Sequence, residues 1–296
     1  MPATLNRAPM AHATSVIFLG TSPFAVPSLA ALGADPRFEI KAVVTQPDRP
    51  VGRKQIVTPP PVKVAAQALG LRVLQPENIN DIHDQLSQGA RPDFFVVVSY
   101  GQLLSDRILN IPSVAAINVH ASLLPALRGA SPLQHAILEG LPTTGVTIQR
   151  MVLALDAGPI LASRSVPMVE RETFTSLLGK LAAIGATMLT ETLASPLKET
   201  AQNEREATFC RKLTKDDGNA DERTMDAVTI DRMVRALTPW PGVTLKGNKL
   251  FATSLAPTDD ALPLPCRDGT TLFITTIQPP SGKPMTGKAF RAGHSL

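Results

Sequence analysis

Asn118 and His120 stand two residues apart at the end of the apolar run Ala115–His120, and Ala121-Ser-Leu-Leu-Pro125 and then Arg128-Gly129 follow them. A side-chain amide can donate to a carbonyl oxygen that is becoming an oxyanion. An imidazole exchanges a proton near neutral pH. A third group, Asp156, lies on a later loop two residues before Gly158. A carboxylate beside an imidazole selects its tautomer and steadies its charge. Together the three supply the parts for acyl transfer without a covalent enzyme intermediate, provided the fold carries Asp156 to His120. Taken alone, an Asn and a His on one strand face read more readily as a buried pair satisfied by hydrogen bonds.

Other chemistries lack their residues. The first strand is followed by Gly20 alone, not by G-x-G-x-x-G, so no dinucleotide site is expected, and no G-x-x-x-x-G-K-[ST] occurs. The five His residues show no metal-ligand spacing, so a metal is not expected. There is no G-x-S-x-G elbow for a serine nucleophile.

The pair has to be held by an α/β framework. Residues 15–19, 39–44, 71–74, 93–98 and 115–120 read as strands, and 93–98 is an almost unbroken apolar run, as in a strand buried on both faces. Helical patterns lie between them, at 23–32, 62–69, 82–86 and 103–109. Alternating strands and helices predict an open, mostly parallel, Rossmann-like sheet. In such a strand Asn118 and His120 point to one face at its carboxyl end, where open α/β sheets bind ligands. A helix at 133–138, two extended segments at 146–151 and 159–169 turning around Asp156, and a long helix at 174–193 complete a domain spanning 14–194.

Residues 195–208 are polar and read as a linker. From 209 to 296 a short helix (230–237) precedes extended runs at 243–246, 250–254 and 271–278, a pattern expected of a smaller β-barrel (OB-like) domain. That domain looks shortened, with little room for a strand between Ser254 and Leu262. Residues 1–13 read as a flexible lead-in without an apolar core. The two cysteines, Cys210 and Cys266, form no C-x-x-C, which fits reduced thiols in a cytoplasm. No apolar run reaches the roughly 18–20 residues of a membrane span. The net charge is +4, and from residue 209 onward 12 Lys+Arg face 9 Asp+Glu. This surplus is compatible with a polyanionic partner but is too small to name one.

The motifs resemble those of the methionyl-tRNA formyltransferase family over nearly the whole chain. The matching pieces are Phe-Leu-Gly-Thr-Ser-Pro-Phe-Ala at 18–25, Thr-Gln-Pro-Asp-Arg-Pro-Val-Gly-Arg at 45–53 and Pro-Val-Lys at 61–63. Asn-Val-His-Ala-Ser-Leu-Leu-Pro-Ala-Leu-Arg-Gly-Ala-Ser-Pro-Leu-Gln at 118–134, Leu-Asp-Ala-Gly at 155–158 and Lys-Leu-Thr-Lys at 212–215 continue the match. The Asn-x-His core with the later Asp-x-Gly is shared by transferases and hydrolases that use 10-formyltetrahydrofolate. It implies that co-substrate, one-carbon chemistry and the formyltransferase fold, and the flanking motifs point to initiator methionyl-tRNA as acceptor in translation initiation. By this resemblance Asn118 orients the formyl group, His120 acts as acid or hydrogen-bond donor, and Asp156 tunes His120. Ser122, Leu123, Leu124 and Pro125 would line the folate pocket. The 48–63 loop would meet the acceptor stem through Arg49, Arg53, Lys54 and Lys63, with Arg53 foremost, since guanidinium groups bind phosphate bidentately. A monomer is expected. The same core also suits a formyltransferase acting on an amino-sugar nucleotide or a formyl-folate hydrolase. The chain departs from the family pattern at Ala126 and Leu127, in Val-Leu-Ala-Leu-Asp at 152–156, and at Gln55 and Ile56.

Overall fold

The computed structural model describes residues 13–52 and 54–296. The lead-in through residue 12 and Arg53 lie outside the described residues. Up to residue 167 the strands are β1 (Thr14–Gly20), β2 (Phe38–Val44), β3 (Arg49–Val51), β4 (Ile56–Thr58), β5 (Val73–Leu74), β6 (Phe94–Val98), β7 (Ala115–His120), β8 (Arg128–Gly129), β9 (Thr143–Arg150) and β10 (Ile160–Pro167). The helices are α1 (Val26–Ala34), α2 (Pro61–Ala68), α3 (His83–Ser87), α4 (Asp106–Leu109), α5 (Pro132–Leu138) and α6 (Phe174–Leu193). Chain contacts gather into two compact units. Among the described residues, the first holds those up to Arg128 with Gly145–Val166 and Leu178–Phe209, and the second holds Gly129–Thr144, Pro167–Leu177 and Cys210–Leu296.

In the first unit seven strands form one sheet in the order β10-β9-β7-β6-β1-β2-β5. The β5, β2, β1, β6 and β7 part is parallel throughout. Every residue of β6 is buried, as its apolar run predicts, and Phe95 and Val97 pack with Ile17, Leu19, Tyr100 and Ile108 in one cluster. Burying each such side chain contributes about 1.5–3 kcal/mol. β7 is the last parallel strand, and β9 pairs with it antiparallel. The reversal falls beside Asn118 and His120. Gly185 of α6 permits close packing on these strands, because a Cβ there would lie 2.9 Å from Val119 Cγ1.

The 48–63 segment differs from the loop the sequence suggests. β3 and β4 pair as a hairpin, Arg49 opposite Thr58 and Val51 opposite Ile56.

The second unit contains β11 from Cys210 on (Phe209–Cys210), β12 (Asn219–Ala220), α7 (Ala227–Leu237), β13 (Val243–Leu245), β14 (Asn248–Ser254), β15 (Leu262–Pro265), β16 (Thr271–Gln278), β17 (Met285–Thr286) and α8 (Gly287–Gly293). The sheet runs β12-β13-β14-β16-β15, with β17 also on β16. Between Ser254 and Leu262 there is no strand, yet β15 begins at Leu262 itself. The alternation pattern missed β15 because Pro263 and Pro265 interrupt it, and prolines are tolerated where the outer side of an edge strand needs no donor. α7 buries Ile230, Val234 and Leu237, and its buried Asp231 takes Arg171, Arg235 and the Thr253 hydroxyl.

Candidate functional site

Alternation along β7 turns Asn118 and His120 to one face, and the antiparallel register sets Gln149 opposite Asn118 and Thr147 opposite His120. Both β9 side chains are buried. Thr147 Oγ1 donates to the Ser122 carbonyl at 2.7 Å and accepts from the Leu124 amide at 3.1 Å, so β9 fixes the turn that leaves β7.

Asp156 reaches the same patch from the loop between β9 and β10. Its Oδ1 accepts from Gln149 Nε2 at 2.9 Å and Asn118 Nδ2 at 3.3 Å, and it lies 3.7 Å from His120 Nδ1. Gly158 lets this loop fold back, since a Cβ there would stand 1.8 Å from the Arg150 carbonyl. The structure thus brings together Asn118, His120 and Asp156, 38 and 36 residues apart along the chain from the strand to the loop.

The imidazole's tautomer follows from its other neighbour. His120 Nε2 lies 3.0 Å from the Leu127 carbonyl, which can only accept, so Nε2 carries a proton. The other ring nitrogen, Nδ1, faces Asp156. At 3.7 Å the carboxylate is beyond direct hydrogen-bond range but close enough to compensate an imidazolium charge. Both neighbours sit on left-handed backbone, Leu127 at φ +57° and Asp156 at φ +50°. Non-glycine residues rarely adopt that region, and such residues gather at functional sites.

A cavity of about 90 Å³ opens beside Asp156, lined by Gln102, Leu104, Gln149, Met151 and the 152–156 loop. Exposed Leu103, Leu153 and Leu155 border it, and Gln149 Oε1 is buried there without a partner. Ser122, Leu123, Leu124 and Pro125 are not in this lining. Ser122 is buried with its hydroxyl given to the Ala126 carbonyl at 2.6 Å, and Leu124 is buried too.

The four basic residues fare differently from one another. Arg49 pairs with exposed Glu77 at 2.7 Å, and Lys63 pairs with Asp48 at 2.7 Å. Hydrogen bonding from Gln75, with the Lys63 ammonium next in weight, holds the Asp48 carboxyl below its usual range. Lys54 is exposed on the turn and makes no ion pair among the described residues. Arg53 lies outside them. Sequence reading gave no role to Thr147 and Gln149, although they alternate with the apolar Val146 and Ile148 in β9. It also gave no role to Gln202, whose Nε2 donates to the Asp156 and Gly158 carbonyls at 2.8 and 2.6 Å.

This geometry coincides with a family match. Residues 14–193 match the formyl transferase model and 212–295 match the formyl transferase C-terminal domain, so the chain belongs to the formyl transferase family. Its near-full-length relatives are narrower in kind. The methionyl-tRNA formyltransferase of Lysinibacillus sphaericus is 38% identical over 95% of this chain and 96% of its own length. That of Enterococcus faecalis is 39% identical over the same shares. Among solved structures, an N-formyltransferase from Helicobacter canadensis, in complex with folinic acid and dTDP-3-aminofucose, superposes with a TM-score of 0.66. It is 14% identical and covers 88% of this chain and 98% of that one, a likeness of fold.

Proposed function

We propose that this protein transfers a formyl group from 10-formyltetrahydrofolate to the α-amine of methionyl-tRNA, with residues 14–194 carrying the chemistry and 209–296 contributing to tRNA binding. The observation that carries the reading is the meeting of Asn118, His120 and Asp156 at the carboxyl end of β7, in a chain with near-full-length methionyl-tRNA formyltransferase relatives. The cavity beside Asp156 suits the flat, heteroatom-rich end of the folate. The co-substrate supplies an activated formyl group.

The chain's own residues then have distinct tasks. One N–H of Asn118 is turned to Asp156, and an amide carries a second that can donate to the formyl oxygen as negative charge grows there. His120, anchored through Nε2, takes the proton lost by the attacking amine on Nδ1 and returns it to the departing nitrogen. Asp156 balances the charge on the ring meanwhile. Lys54 and Arg53 meet tRNA phosphate, while Arg49 and Lys63 contribute less directly because each already faces an acid. The two buried, free cysteines suit a reducing cytoplasm, and we assign a monomer there.

The test is direct. Protein, 10-formyltetrahydrofolate and methionyl-tRNA are incubated at low salt, and formyl-methionyl-tRNA is expected as product. Its absence with active substrates would sink the reading. Formate release without tRNA would instead indicate a hydrolase, and formylation of an amino-sugar nucleotide would indicate the sugar-directed branch.

A further inference from the structure

The two groups that face His120 are carried by strained turns, and both turns are tied to one stretch of chain. Along residues 199–208, Glu199 pairs with Arg150 at 2.6 Å, and Thr200 exchanges backbone hydrogen bonds with Ile160 at 2.8 and 2.9 Å. Gln202 Nε2 then donates to the carbonyls of Asp156 and Gly158, the first and last residues of the Asp156 turn. Its Oε1 accepts from Arg128 Nε and Nη2 at 3.0 and 2.7 Å. Arg128 is itself buried and forked onto Glu204 at 2.9 and 2.7 Å. At the far end Thr208 Oγ1 accepts from the Leu127 amide at 2.9 Å, and the Thr208 carbonyl accepts from the Arg128 amide at 2.8 Å.

We infer that residues 199–208 form a strap that positions the catalytic groups, with Gln202 as the positioning residue for Asp156 and Thr208 as the support for the Leu127 carbonyl. The inference rests on the catalytic reading of Asp156 and adds to it. The polar stretch expected as a linker contains the groups that hold both sides of the imidazole. The physical reason is local. An aspartate in the left-handed region is held where such residues rarely settle, and removing two hydrogen bonds from its turn lets the backbone relax toward commoner conformations. Gln202 suits this task because its amide offers two N–H groups to two carbonyls while its oxygen remains for Arg128.

The experiment compares Gln202→Ala, Gln202→Glu, Asp156→Asn and the double variant Asp156→Asn/Gln202→Ala, measuring kcat, both KM values and thermal melting. A misplacement near 1 Å can cost about 100-fold, so Gln202→Ala is expected to lower kcat by about 10- to 100-fold. Both KM values should stay within about threefold, because the interaction lost is one realised in the reaction rather than in binding. Gln202→Glu retains an acceptor for Arg128 but has no N–H to give at neutral pH, so it should be as slow as the alanine variant. If Gln202 acts through Asp156, the double variant should be no slower than Asp156→Asn alone. A Gln202→Ala enzyme within twofold of the parent overturns the strap, as does activity rescued by glutamate or a penalty that multiplies fully onto Asp156→Asn. Should the alanine variant fail to fold, the glutamate variant and its own double with Asp156→Asn decide the matter. If Asp156→Asn itself keeps full activity, the catalytic assignment fails rather than the strap.

Discussion

His120 is 6% exposed, with one ring nitrogen bonded to a carbonyl and the other facing a carboxylate, whereas Val51, Ile56 and Val57 of the β3–β4 hairpin stand 56–63% exposed. Around the imidazole, strands, a left-handed turn and the 199–208 strap fix each polar atom before a substrate arrives. Around the hairpin, Lys54 has no acid beside it among the described residues, and the backbone bonds are those of two three-residue strands. A reaction needs atoms held to a fraction of an ångström. A phosphate backbone needs charge within reach, and its affinity is supplied by counterion release more than by shape.

The sharpest way to break this comparison is to remove the buried side chains. Asn118→Ala and His120→Ala are each expected to reduce kcat by about 100-fold or more, with the KM for tRNA little changed. If either variant raised that KM while leaving kcat intact, the site would be a binding surface like the hairpin. Gly158→Ala should act more moderately. Its Cβ would fall 1.8 Å from the Arg150 carbonyl, a backbone atom that cannot swing aside. A stability loss of about 1–3 kcal/mol in denaturant titration is expected, together with slower turnover as the Asp156 turn shifts.

How far the sequence revealed each region follows from the same contrast. Asn118 and His120 were legible because period-two alternation in β7 is a local rule, and the apolar 93–98 run marked the strand beside them. That Asp156 would meet His120 was a condition the sequence could only pose, since it depends on β9 reversing beside β7 and on Gly158 closing the loop. Gln202 was hidden because the two bonds its amide donates go to carbonyls, which leave no mark in side-chain chemistry, and its polar neighbours read as a linker. The four cations were visible as charge. Their partners were not, because the Asp48–Lys63 and Arg49–Glu77 pairs span 15 and 28 residues. β15 escaped notice because its alternate prolines mask a strand whose outward side needs no donor.

The hairpin comparison sharpens when its cations are separated. Lys54→Ala should raise the KM for methionyl-tRNA a few-fold, leave kcat unchanged, and reduce the log–log salt slope of binding by about one, the signature of one lost phosphate contact. An unchanged slope would remove Lys54 from the tRNA surface.

The smallest expected effect belongs to Lys63, and it is the one that tests whether pairing matters. Its side chain is 19% exposed and its ammonium lies 2.7 Å from Asp48, while Gln75 donates to the other carboxylate oxygen at 2.7 Å. Lys63→Ala should therefore change the salt slope by clearly less than Lys54→Ala, acting through the hairpin's root instead of through phosphate. Because Gln75 and Lys63 hold the Asp48 carboxyl below its usual range, the anchor's contribution is complete above that range and is lost as pH falls through the lowered value. Amide hydrogen exchange at the hairpin, corrected for intrinsic rates, should be flat from about pH 8 to 5 and accelerate only in more acidic buffer than an ordinary aspartate would require. Asp48→Asn should remove that pH dependence. Equal salt slopes for the two lysine variants would show that a cation already bound to a carboxylate serves the nucleic acid as well as an unpaired one.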